Sequence, residues 1–149
     1  MAIMNLEEYH KRFKEDTDET CYANLEKASI EADSLFCKWS TWLSYEQFIL
    51  NGLEHDYDIL YLQKREFYVD GHTLETKEKG WELPARGQVL KSEVQIYINA
   101  DQDIIKLSNK LTIAKEKIRI IKDAMDTLRF RKNNCKTILD IRKYNSGSY

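Results

Sequence analysis

The stretch DTLRFRKNNCKT, residues 126–137, gathers Arg129, Arg131, Lys132 and Lys136 around Phe130. Guanidinium and ammonium groups repeated at helical intervals are suited to following a line of phosphates. With Lys115, Arg119, Lys122 and Lys143 the cluster extends into a stripe along one helical flank, broken only by Asp126 and Asp140. The same stripe could instead meet an acidic segment of a neighbouring subunit, or be a solvated helix face. A second group runs from Tyr61 to Arg86 and mixes Lys64, Arg65, Lys77, Lys79 and Arg86 with Tyr61, Phe67, Tyr68 and Trp81. Cations that track phosphates, interleaved with rings that stack bases, are what sequence-tolerant binding of a single strand requires. A plainer reading stands beside it. Glu66, Asp70, Glu75, Glu78 and Glu82 nearly cancel the local bases, Phe67 and Tyr68 could pack a helix end, and Trp81 could pin a loop.

Signals for catalysis are missing. There is no G-x-x-x-x-G-K-[ST] phosphate loop, no G-x-S-x-G and no Cys/His nucleophile arrangement. Paired acids such as Glu7 and Glu8 fall on what should be an exposed helix face. Cys21, Cys37 and Cys135 lie far apart and are expected as reduced thiols, and His10, His55 and His72 make no zinc-ligand spacing. The expectation is therefore a binding protein, not an enzyme, with no metal and no cofactor. A small nuclease would need a helical carboxylate pair for a metal, and none stands out.

Behind these groups, charge is divided along the chain. Residues 1–60 carry five cations against thirteen carboxylates, a net of −8, whereas residues 106–143 carry twelve against four, a net of +8. A total of −2 hides this asymmetry, which suits a nucleic-acid surface or head-to-tail packing of unlike segments. The 149 residues fit one domain, and five glycines with a single proline suit long helices. No apolar run is long enough to span a membrane, and MAIMNLEEYHKRFKED lacks the basic flank and apolar stretch of a secretory signal, so a cytoplasmic protein is expected.

The elements that must position these residues read as helices. Asn5 and Glu8 form a capping-box pattern for a first helix with Leu6, Tyr9 and Phe13 on its apolar edge. A second helix, starting at Thr17 or Thr20, carries Leu25, Ala28, Ala32, Leu35, Trp39 and Trp42 at spacings of three and four. Ser44 with Gln47, and Leu43 with Phe48, predict a fresh start at Ser44, and Gly52 a bend in the helix that follows. Residues 70–90 hold three glycines and the proline and predict a mobile connection. VQIYI, residues 94–98, is read as helix over strand. From a cap at Asn99 or Asp101, Ile104, Leu107, Leu111, Ala114, Ile118, Ile121, Met125 and Leu128 repeat at spacings of three and four, the seam of a coiled coil or bundle. The predicted fold is all-α: an elongated helical bundle, residues 1–144 as one domain with a loop at 70–90, and a disordered tail at 145–149. Helices two and three could cover the C-terminal seam within the chain, or copies of the same helix could, with Ile105, Ile113 and Ile120 as apolar surface off the seam. The expectation taken is that the long C-terminal helix zips through Ile104, Leu107, Leu111, Ile118, Ile121, Met125 and Leu128 to equivalents in a homo-oligomer.

Four stretches carry a resemblance over most of the chain: Lys38-Trp39 after the alanine-bearing helix, KREFYVDG at 64–71, KSEVQIYINADQDIIKL at 91–107 and DAMDTLRFRKNNCKTILDIRKYNSG at 123–147. The sequence resembles the UvsY-type recombination mediators of T-even-like phages. The resemblance implies a small, non-enzymatic homo-oligomer in the cytoplasm of an infected bacterium. It would bind single-stranded DNA, contact the phage recombinase and the phage single-strand-binding protein, and help the recombinase displace the latter. It also implies oligomerisation through the C-terminal region. The family's lysine-x-arginine pair before two aromatics places its arginine at Lys64 when the aromatics are set on Phe67 and Tyr68. Its lysine falls on Leu62, with Arg65 a substitute one position beyond Lys64. The DNA-binding set is then Lys64, Arg65, Lys77, Lys79, Trp81, Arg129, Arg131, Lys132 and Lys136. A structural or assembly-chaperone bundle of a phage, without a DNA role, is the alternative.

Overall fold

In a computed structural model of the chain, residues 4–147 are described, and they are helical with no strand among them. The order is α1 (Leu6–Asp16), a 3-10 turn at Glu19–Ala23, α2 (Leu25–Asp70), α3 (Leu74–Glu78), α4 (Val94–Asn99) and α5 (Gln102–Asn145). Two compact units result, one of residues up to Phe48 and from Ile113 onward, the other of Ile49–Thr112.

The first unit is organised by α1. Asn5 caps it: its side chain accepts the Glu8 N–H at 2.8 Å while Glu8 reaches back to the Asn5 N–H. Tyr9, Trp39, Ile120, Ile121, Ala124 and Leu128 form the core, with Leu6, Phe13, Leu35, Trp42 and Met125 packed around them. Trp39 and Trp42 meet edge to face at 4.9 Å. Asp16, the last residue of α1, accepts the Trp39 indole N–H at 2.9 Å and pairs with Lys38 at 2.6 Å. Its carbonyl accepts from Arg131 at 2.6 Å, so a cation sits at the carbonyl end of the helix. One residue thus ties α1 to α2 and to α5.

The second unit is built on Phe67, Tyr68, Val89, Val94, Ile98 and Ile104. The segment 70–90 contains more order than its glycines suggest. Thr73 and Thr76 cap α3 reciprocally, Gln88 Nε2 donates to the Asp70 carbonyl at 2.9 Å, and the Val89 N–H donates to the Tyr68 carbonyl at 2.8 Å. Gly71 has φ +90° in a position where a Cβ would lie 2.5 Å from Gln88 Nε2, so only glycine turns the chain there.

Two expectations are corrected, the fresh start at Ser44 and the intersubunit seam of α5. α2 runs unbroken from Leu25 to Asp70, and Ser44 Oγ donates to the Ser40 carbonyl within the helix instead of capping a new one. α5 has 44 residues and is capped by Asp101, one of the two caps expected, since Asp101 Oδ1 accepts the N–H groups of Asp103 and Ile104 at 2.9 and 3.2 Å. Ile104, Ile118, Ile121 and Leu128 are buried by the chain's own residues, and Leu107, Leu111 and Met125 are partly covered. That seam serves the internal core, because a 46-residue α2 supplies a helix of matching length within the same chain. Of the expected tail 145–149, Asn145 closes α5 and Ser146 N–H still donates to the Arg142 carbonyl; residues 148 and 149 lie outside the described residues.

Candidate nucleic-acid interface

Helical spacing turns Lys64, Phe67 and Tyr68 of α2 inward together. Lys64 is only 3% exposed. Its Nζ lies 3.1 Å from Asp101 and 2.9 Å from Asp103, and 3.8 Å from the centroid of the Trp81 ring. The Tyr68 hydroxyl donates to Asp101 Oδ2 at 2.6 Å. Burial acts to raise the Asp101 carboxyl, but the hydrogen bonds from Tyr68, Lys64 and the Ile104 N–H, with the Lys64 charge, outweigh it and hold the carboxyl below its usual range. The same arrangement pushes the Tyr68 hydroxyl up, through burial first and the bond to Asp101 second. Lys64 therefore spends its charge inside the fold, which corrects its reading as a phosphate contact. Its carboxylate partners lie 37 and 39 residues away in the chain, and the one sequence trace of them is the AD-x-D pattern at the head of α5.

Around this pin the other cations separate by use. Arg65 is exposed, makes no ion pair among the described residues, and shares the rim of a shallow depression of about 180 Å³ with Glu66, Val69, Asp70 and Lys91. Lys91, absent from the sequence-derived set, is brought beside Arg65 by the return of the chain through Val89. Lys77 is exposed without an ion pair among the described residues, whereas Lys79 pairs with Glu75 at 3.1 Å. Trp81 is half-buried, with Lys64 over its ring and Phe67 at 5.4 Å. Its ring is taken up by the chain itself, against the expectation of a platform for a base.

On α5 the cluster divides in the same way. Arg131 is 2% exposed and holds the end of α1, so it too is corrected from contact to structural residue. Lys132 pairs with Asp33 at 2.6 Å. Arg129 is exposed, 3.5 Å from Asp126 and 5.7 Å from the Phe36 ring centroid. Lys136 is exposed and makes no ion pair among the described residues, and the same holds for Lys115, Lys122 and Lys143 along the same helix. Arg119 is held between Glu116 and Asp123. Among the described residues no group of three His, Cys, Asp or Glu could hold a metal ion, and no helix is long and apolar enough to cross a membrane.

Comparison with known proteins adds identity to this geometry. A family model, UvsY, described as recombination, repair and ssDNA binding protein, matches residues 8–148. Among solved structures, the crystal structure of the bacteriophage T4 recombination mediator protein UvsY in one lattice superposes with a TM-score of 0.77 at 23% identity, covering 97% of this chain and 99% of that one. The same protein in a second lattice gives 0.76 at 20% identity, covering 93% and 98%. Among curated proteins no sequence matches.

Proposed function

Since the chain belongs to the UvsY family of recombination, repair and ssDNA-binding proteins, we propose that it is a recombination mediator that holds single-stranded DNA while a phage recombinase replaces a single-strand-binding protein. The observation that carries this reading is the family match across residues 8–148. The exposed cations without an ion pair among the described residues support it: Arg65, Lys77 and Lys91 in one unit, and Lys115, Lys122, Lys136 and Lys143 in the other, with Arg129 held only by an exposed contact to Asp126. Lys79 and Lys132 can join them by exchanging a surface carboxylate for a phosphate, since exposed ion pairs hold each other by at most about 1 kcal/mol. Lys64, Arg131 and Trp81 act by positioning.

One chain offers few phosphate contacts, each weak at physiological salt. Copies joined in a homo-oligomer multiply the same site along one strand, and linked sites gain roughly 10²–10⁴ in avidity. The role needs no catalytic group, only a grip strong enough to reshape a strand and loose enough to release it.

The direct test is recombinase activity on a strand already coated with the single-strand-binding protein. Adding this chain should shorten the lag before strand-dependent ATP hydrolysis begins. An unchanged lag over a range of concentrations would favour a structural bundle instead.

A further inference from the structure

From residue 39 to residue 63 the chain has no lysine or arginine, and Glu54, Asp56 and Asp58 of α2 are exposed without an ion pair among the described residues. Gly52, His55, Ile59 and Leu62 follow at intervals of three, four and three, so they share one face of α2. Every one of them is exposed, Ile59 at 57% and Leu62 at 54%. Gly52 is the unusual member. Glycine in a helix interior is destabilising relative to alanine. Its φ is not positive, and a Cβ built on it would meet nothing within 4 Å. Nothing in the chain itself requires a glycine there. On an apolar outward face, its use is to let another backbone approach closely.

The chain also carries the complement of this face. On α5, Ile105 is 37% and Ile113 48% exposed. Lys106, Lys110 and Lys115 beside them are exposed and make no ion pair among the described residues. Three unspent carboxylates with an apolar seam on one helix thus have three unspent ammonium groups with an apolar pair on another.

We propose that the α2 face of Gly52, His55, Ile59 and Leu62 is the docking surface for α5 of a second copy of this chain. Ile105 and Ile113 of that copy pack on the seam, and its Lys106 and Lys110, four apart on one flank, meet Glu54 and Asp58, which share one flank of α2 at the same spacing. The proposal rests on the oligomeric reading above and names the surfaces on which copies meet. Two different patches meeting head to tail generate a ring if the rotation closes.

Charge exchange tests it, read as native mass in the absence of DNA. The unaltered chain is expected as a species of several chains. Glu54→Lys with Asp58→Lys, or Lys106→Glu with Lys110→Glu, should shift it toward the 17.7 kDa single chain. All four changes together should restore the assembly. Gly52→Ala should raise the thermal midpoint yet make the assembly dissociate at higher protein concentration. If both charge-reversed chains keep the original mass, or the combined chain fails to reassemble, the proposal is overturned. Strand binding is scored separately: reversed chains that keep their mass and still bind a strand overturn the docking surface and leave the DNA reading intact. Should a reversed chain lose helicity, Ile59→Cys with Ile105→Cys, in a chain carrying Cys21→Ser, Cys37→Ser and Cys135→Ser, gives the second reading. A disulfide-linked ladder of chains is expected on mild oxidation, and single chains alone would overturn the proposal.

Discussion

At Lys64 an ammonium group lies between two carboxylates and an indole face, with a phenol completing the shell of Asp101. The lysine that the family pattern marks for DNA works here by holding the segment that presents Arg65. Removing one member of a buried pair leaves the other charge uncompensated, at a cost of about 3–5 kcal/mol. Lys64→Ala should therefore lower the urea midpoint sharply at neutral pH. The depressed Asp101 carboxyl contributes stability that is present above its unfolded value, roughly 3.9, and is lost as pH falls through its lower folded value. The difference between Lys64→Ala and the unaltered chain should accordingly shrink on acidification, once a protonated Asp101 no longer needs a cation. A Lys64→Ala chain of unchanged midpoint, with weakened strand binding, would return Lys64 to the surface role first read from the sequence.

Among the elements, what the sequence made legible was the local chemistry. The Asn5–Glu8 capping box, the helical reading of residues 94–98 and the three-four repeat from Ile104 to Leu128 all stand on interactions within a few residues, and each is present. The start expected at Ser44 failed because its cap competed with a helix already running, whose side chains on either side are held by tertiary packing. The partner of the α5 repeat was not legible, since periodicity gives a stripe and not what covers it. Nor was the fate of Lys64 and Arg131, because their acceptors Asp101 and Asp16 are distant in the chain. The internal role of the α5 seam has a consequence that can be measured. Ile121 is fully buried, and Ile121→Ala should cost about 2–5 kcal/mol. Because that loss falls within the chain, the drop in thermal midpoint should be the same at low and high protein concentration. A drop that vanishes on dilution would place Ile121 between subunits.

For the whole molecule, the sequence's −8 and +8 halves resolve into three uses. Some charges lock the fold, as in Lys64–Asp101 and Lys38–Asp16. Some neutralise each other on the surface, as in Lys132–Asp33 and Arg119–Glu116. The remainder, including Arg65, Lys77 and Lys136, makes no ion pair among the described residues and is proposed to meet a polyanion, with Arg129 exchanging its exposed Asp126 contact for a phosphate. A strand held by such groups releases counterions on binding, so affinity falls with salt by a slope of about 0.7 per phosphate contacted. Fluorescence anisotropy of a labelled single strand across a salt series measures that slope. The account predicts a steep slope for the unaltered chain, and a shallower one for Arg129→Ala with Lys136→Ala at unchanged native mass. No binding at low salt, or a slope that the double substitution leaves untouched, would contradict it.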